Sequence, residues 1–246
     1  MAIPRIYSPQ PLRADTEINL TGNAANHLNR VLRLAAGDEL RLFDGGGQDY
    51  TAHIVAKVQG GLRVRVQSSA PVLTESSLGV ILMQGICRSQ KMDLVIQKAT
   101  ELGVSAIWPL ACERSVVHLH GERAVRRREH WFGIAAGAAE QCGRAVVPQM
   151  HEVASFDAAV AALPPDAPRL LLDPEAEQGL GQHAPAGGIL VLLAGPEGGL
   201  TPAERSAACE AGFTGVRLGP RVLRTETAPL AALSVVQYLY GDLGED

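Results

Sequence analysis

Aromatic side chains are scarce in this chain, 4% of 246 residues, and its four cysteines form no Cys-x-x-Cys pair. Cys87, Cys112, Cys142 and Cys209 each lie among apolar or small residues, so disulfide and zinc frameworks both lack their spacing and the thiols read as free and structural. His118, His120 and His130 have no acidic or cysteine ligand at a recognised spacing, so no metal is expected. No apolar run reaches the roughly 18 residues needed to cross a bilayer, and the first residues lack the basic region and apolar stretch of a signal peptide. A cytoplasmic location is therefore expected. A Gly-x-x-x-x-Gly-Lys-Ser/Thr motif is also missing, which removes the commonest cradle for a nucleoside triphosphate. Net positive charge is absent too: the formal charge is −4, which at first counts against a polyanionic partner.

What remains has the make-up of a globular enzyme, with 46% hydrophobic and 20% charged residues, in a chain long enough to bury one large core or two smaller ones. Its charge is uneven. Residues 1–78 hold 8 basic and 7 acidic groups, residues 79–150 hold 9 and 6, and residues 151–246 hold 5 and 13. The middle excess is concentrated in Arg114, His118, His120, Arg123, Arg126, Arg127, Arg128 and His130. Two readings of that run stay open: a solvated helix face, or a local patch that contacts phosphates on an otherwise acidic protein.

Residues up to about 74 alternate short β-like runs, such as 39–44 and 62–66, with the glycine turns Gly45-Gly46-Gly47 and Gly60-Gly61. A helix over 22–34 interrupts them, and a small β-barrel is the expected result. Pro71 and Thr74-Glu75-Ser76-Ser77 make a linker. From Gly79 the pattern changes to strands at 80–86, 105–110 and 169–173 alternating with helices at 90–102 and 121–143, the signature of an α/β fold with a parallel sheet.

Two glycine-punctuated loops near the C-terminus carry the chemistry. Gly195-Pro196-Glu197-Gly198-Gly199 follows the apolar run Ile189–Ala194, too short for a globular helix and continuous enough for a strand buried on both faces. Thr201 then suits an N-cap, Pro202 the first helical position and Glu204 a capping box. The second loop, Leu218-Gly219-Pro220-Arg221-Val222-Leu223-Arg224-Thr225-Glu226-Thr227-Ala228, follows a short strand around 216–218 and leads into a helix over 228–240 with Leu230, Leu233 and Val236 at helical spacing. In an open parallel sheet ligands bind beyond the carboxyl ends of the strands, so these loops and the one after Asp173 would line one pocket if their strands are neighbours. Glu197 disfavours an anion there and is compatible with a cation.

The two loops, with Gln97-Lys98-Ala99-Thr100-Glu101-Leu102-Gly103 and Glu140-Gln141-Cys142-Gly143-Arg144, resemble the signature of the RsmE-type family of 16S ribosomal RNA uridine-N3 methyltransferases, in the SPOUT superfamily. The match runs in order from Pro4-Arg5-Ile6-Tyr7 to Ala228. The resemblance implies a PUA-like β-barrel RNA-binding domain at 1–74 and a SPOUT methyltransferase domain at 75–246, whose C-terminal segment is threaded into a trefoil knot. It also implies a homodimer, S-adenosyl-L-methionine as cofactor, and 16S ribosomal RNA of the small subunit as substrate. A non-catalytic RNA-binding protein that retains the fold is the alternative.

By the same resemblance the cofactor is held by Leu172, Gly195, Pro196, Gly199, Leu218, Gly219, Leu223, Thr225 and Thr227, with the adenine ring among Leu172, Leu218 and Leu223. Arg224 stabilises charge developing on uracil O2 and O4, or else pairs with Glu226 or Glu197 to hold its loop. Glu197 and Glu226 are candidate general bases, if desolvation raises their pKa, or alternatively helix caps. Arg88, Lys91, Arg114, Gln141 and Arg144 are candidates for binding the RNA, although Arg144 also suits a helix C-terminal cap. Lys98 and Glu101 have the spacing of a surface ion pair.

Overall fold

Alternation of buried and exposed side chains builds the first sheet: strand β5 (Gly61–Pro71) buries Leu62, Val64 and Val66 and exposes Arg63 and Arg65. The computed structural model describes residues 3–182 and 188–244, the side chains of Arg30 and Gln182 excepted. Its contacts divide the chain into two units, Met1–Glu75 with Ala136–Val147, and Ser76–Ala135 with Pro148–Asp246.

In the first unit β1 (Arg5–Tyr7), β2 (Thr16–Thr21), β3 (Glu39–Phe43), β4 (Gln48–Val58) and β5 form a sheet in the order β1-β3-β4-β5-β2. The β1–β3 pair is parallel and the others are antiparallel, with register shifts in β4 at Thr51/Ala52 and Ile54/Ala56. Such shifts bend a strand and increase its twist. Ile6, Leu20, Leu40, Leu42, Ile54 and Val64 are among the side chains of its core. The helix expected over 22–34 is shorter. α1 (Gly22–Asn26) runs into a π-helical turn over His27–Val31 and stops before Arg33, whose φ of 55° is left-handed and cannot continue it.

A single cut after residue 74 does not describe this unit, because Ala136–Val147 packs into it. Partly buried polar contacts hold it there. Arg5 pairs with Asp49 at 2.7 Å and donates to the carbonyls of Ala139 and Arg144, both at 2.8 Å. The Tyr7 N–H donates to Glu140 at 2.8 Å, and burial raises the Glu140 pKa despite that bond and the charges of His27 and Arg5. The Arg144 guanidinium, 5% exposed, is bound to Glu75 at 2.6 Å.

The second unit is a six-stranded sheet, parallel throughout, in the order β11-β9-β10-β6-β7-β8. Along the chain its elements are β6 (Gly79–Gly85), α2 (Ser89–Glu101), β7 (Ala106–Leu110), α3 (Glu122–Cys142), β8 (Gln149–Met150), α4 (Phe156–Ala161), β9 (Arg169–Leu172), β10 (Ile189–Ala194), α5 (Pro202–Glu210), β11 (Phe213–Val216) and α6 (Thr227–Tyr240). α3 continues into the first unit through its last turns. β10 is buried from Leu190 to Ala194, the pattern of a strand covered on both faces. The capping box at α5 forms, with Thr201 Oγ1 accepting from the Glu204 N–H at 3.2 Å and Glu204 accepting from the Thr201 N–H at 2.8 Å. β8 and α4, of two and six residues, were too short to leave a period in the sequence. β11 ends at Val216 rather than at 218, because Arg217 turns to bond the backbone of Gln178 and Leu180.

Replacing Arg144 by Met is expected to leave Glu75 without its cation and to cost about 2 kcal/mol of unfolding free energy, less than the roughly 3–5 kcal/mol of a fully buried pair because Glu75 is partly exposed. Urea unfolding of the variant checks this; an unchanged midpoint contradicts the structural assignment of Arg144.

Candidate active site

β9 lies between β10 and β11, so Leu172, Ala194 and Val216 end side by side and the three loops that follow open at one edge. They enclose a cleft of about 560 Å³ in the second unit. Leu172, Leu218 and Leu223 supply apolar wall, and Gly195, Pro196 and Gly199 line it as well. Gly199 has φ of 69°, a conformation open to glycine, which lets the first loop turn back toward α5.

The two C-terminal loops are bolted together. The Thr225 hydroxyl donates to the Gly195 carbonyl at 2.7 Å, and the buried Gln84 amide reaches the same oxygen at 3.4 Å. Beneath them Gly85 ends β6 so close to the first loop that a Cβ there would stand 2.5 Å from the Pro196 nitrogen. Gly198 is similarly hemmed in: a Cβ there would stand 2.8 Å from the Arg114 Cβ. Gln84 and Gly85 were not singled out in the sequence. Nothing in a strand pattern marks a glycine chosen for the approach of a loop 110 residues away.

Lys91, from α2, carries the second tie. Its ammonium is 2.9 Å from Glu226 in the second loop and 3.9 Å from Glu197 in the first. Glu197 also accepts the Arg88 N–H at 3.0 Å. Burial pushes the Glu226 pKa up, but the Lys91 hydrogen bond, the backbone N–H of Glu226 itself and the charges of Lys91 and Arg224 outweigh it and hold the carboxyl below its ordinary value of 4.5. The expectation of a base raised by desolvation is therefore reversed for Glu226, since its partners stabilise the anion more than burial penalises it. It does not cap α6 with its side chain either. The third loop is held in a similar way by Arg205, 3.3 Å from Asp173 and 2.6 Å from Glu175. Cys87, next to this group, has its thiol pushed up to about 12, by burial first and then by the charge of Glu197.

A family model described as an RNA methyltransferase domain matches residues 74–237, and another described as an RNA methyltransferase PUA domain matches residues 20–59. The chain belongs to the RNA methyltransferase family. It is similar to the ribosomal RNA small subunit methyltransferase E of Bacillus subtilis (strain 168), 32% identical over 237 residues, which is 93% of each chain. The enzyme of that name from Mycobacterium bovis is 34% identical over 225 residues, 89% of this chain and 85% of that one. Among solved structures, the ribosomal RNA small subunit methyltransferase E of Neisseria gonorrhoeae, bound to S-adenosyl methionine, superimposes with a TM-score of 0.93 at 38% identity and covers 98% of this chain and 99% of that one.

Within this RNA methyltransferase the sequence-derived residues separate into groups. Leu172, Gly195, Pro196, Glu197, Gly199, Leu218, Leu223, Arg224 and Thr225 all line the cleft. Gly219 and Thr227 do not. Gly219, with φ of 70°, turns the second loop away, and the Thr227 N–H closes onto the Arg224 carbonyl at 2.9 Å to start α6. Arg224 is exposed and makes no side-chain ion pair among the described residues, so the pairing with Glu226 or Glu197 is not formed.

The residues expected to hold RNA fare differently. Lys91 and Arg114 reach the cleft but are already engaged: Lys91 by the two carboxylates, and Arg114 by the carbonyls of Gly198 at 3.3 Å and Leu200 at 3.5 Å. Both brace loops. Arg88 contributes its backbone N–H to Glu197. Gln141 is exposed on the last turn of α3, in the first unit, and Arg144 is buried there, its Nε and Nη2 bound to Glu75. Lys98 and Glu101 form their surface ion pair at 2.8 Å.

Because the folded-state pKa of Glu226 is depressed, its contribution to stability is present above about pH 4.5 and is lost as pH falls through the lower folded value. Urea unfolding from pH 7 to pH 3 is expected to show the protein more stable than its Glu226→Gln variant at neutral pH, with the two converging in acid. A gap that stays constant with pH contradicts the ionised pair with Lys91.

Proposed function

We propose that the protein transfers a methyl group from S-adenosyl-L-methionine to N3 of a specific uridine in 16S ribosomal RNA of the small ribosomal subunit. The observation that carries this reading is the three-loop cleft inside a methyltransferase domain whose Neisseria gonorrhoeae relative is bound to S-adenosyl methionine. The residues fit that cofactor. A volume of about 560 Å³ is in the range of small-molecule sites. Its leucine wall suits an adenine ring, and its glycine backbone offers amide and carbonyl groups.

S-adenosylmethionine supplies an electrophilic methyl on a cationic sulfonium. The protein's task is to orient it and to stabilise charge on the base. Leu172, Leu218 and Leu223 pack the adenine in this reading, and the backbone of Gly195, Pro196, Gly199 and Thr225 fixes its edge. Arg224, which makes no ion pair among the described residues, supports negative charge on uracil O2 and O4 as N3 loses its proton. Glu197 has one buried carboxylate oxygen, Oε2, without a hydrogen bond among the described residues, and it is the proton acceptor. Glu226, kept ionised by Lys91, holds the second loop in register with the first.

The remaining parts follow the family. The PUA-like unit at the N-terminus binds RNA, the C-terminal segment is threaded as a trefoil knot, and two chains associate. Exposed Val235, Tyr238 and Leu239 on α6 support association. No helix among the described residues is long and apolar enough to cross a membrane, and a cytoplasmic site of action accords with a ribosomal substrate.

Calorimetric titration is expected to show one S-adenosylmethionine bound per chain; no heat of binding removes the methyltransferase reading. Arg224→Ala should fold normally and bind the cofactor, yet methylate 16S ribosomal RNA about 100-fold or more slowly, the scale of losing one transition-state donor. Unchanged turnover returns Arg224 to a bystander. Mass mapping of ribosomal RNA from a deletion strain against wild type locates the modified base.

A further inference from the structure

A second cleft, of about 300 Å³, opens near the carboxyl ends of β7 and β8, and the cofactor reading does not use it. All strands of this sheet are parallel, so it faces the same edge as the cofactor loops. β7 is two strands from β10, which at the usual strand spacing is ~10 Å. One wall is aromatic: the His151 imidazole stacks on Trp108 with ring centroids 4.1 Å apart and planes 32° apart. Small side chains of α4 and its C-cap, Ala158, Ala159 and Ala162, keep the opposite wall low.

The neighbourhood carries charge of both signs: Glu152 lines the cleft, and Arg128 stands beside it. Arg128, on α3, is anchored by its Nε to the Met150 carbonyl at 3.0 Å, and its two terminal nitrogens donate to nothing among the described residues. It is exposed, and its charge reaches His151. Burial, and secondarily Arg128, lowers the His151 pKa, so near neutral pH the ring is a neutral stacking surface. A flat ring beside a fixed guanidinium fork is the combination that holds one nucleotide of single-stranded nucleic acid, the base by stacking and the phosphate by charge.

We propose that this cleft seats an unpaired nucleotide of the RNA substrate flanking the modified base, with its base against the His151 ring, which is backed by the buried Trp108, and its phosphate on Arg128. The assignment rests on the RNA methyltransferase reading above. It also gives part of the basic run in α3 a defined task, where Arg126 is occupied by Glu122 at 2.9 Å and Arg127 by Ser89.

The test follows the indole N–H resonance of Trp108, assigned with a Trp131→Phe variant, during titration with single-stranded octauridylate, octaadenylate and the matching 5′-monophosphates. An oligonucleotide is expected to shift it. Ala158→Phe, an exposed helix position that fills the cleft, should abolish the shift and weaken oligonucleotide binding about 10-fold while S-adenosylmethionine affinity is unchanged. Arg128→Gln should weaken binding and reduce the salt slope by about one. A Trp108 resonance unmoved by every probe, or moved equally in Ala158→Phe, overturns the proposal. So does a shift produced by the monophosphates alone, which assigns the cleft to a free nucleotide. Loss of cofactor binding in the parent protein instead overturns the methyltransferase reading, and the Trp108 titration is read independently of it.

Discussion

One carbonyl oxygen organises the cleft. Gly195 O receives the Thr225 hydroxyl at 2.7 Å and the Gln84 amide at 3.4 Å, so two loops from different parts of the chain share one anchor at the end of β6. Removing a Cβ at Gly85 is the steric condition for that contact, and the Lys91 bridge to Glu226 and Glu197 is its electrostatic counterpart. Together they set the shape of the pocket before any ligand arrives, which lowers the ordering cost of binding.

The distribution of charge follows from the same arrangement. The C-terminal segment is strongly acidic, yet around the cleft its carboxylates are matched: Glu226 by Lys91, Asp173 and Glu175 by Arg205, and Glu204 by the backbone N–H groups of Thr201 and Glu113. Arg221 and Arg224 line the opening without ion pairs among the described residues. A protein with a net charge of −4 can therefore present cations to a polyanion, because neutralisation is local and net charge is not.

Much of the fold was legible in the chain. The buried run Ile189–Ala194, the box of Thr201 and Glu204, and the helical spacing of Leu230, Leu233 and Val236 each express a local rule, and each element formed within a residue or two of its expected place. The site was less so. Arg144 and Lys91 have the residue type and position of RNA ligands, and tertiary partners claimed both: Glu75 for the first, Glu226 and Glu197 for the second. A guanidinium or ammonium looks the same in sequence whether its partner is a phosphate or a carboxylate.

By itself the sequence determined where the longer strands and helices of the second unit lie, that its sheet is parallel, and which loops carry glycine and arginine, because periodicity, capping and turn chemistry act over a few residues. Only the tertiary structure decided that β9 separates β10 from β11, that Ala136–Val147 packs with the first unit, and that the Glu226 carboxyl is depressed rather than raised. Those outcomes depend on groups tens to more than a hundred residues apart, and strand order, pairing and desolvation are set by which of them meet.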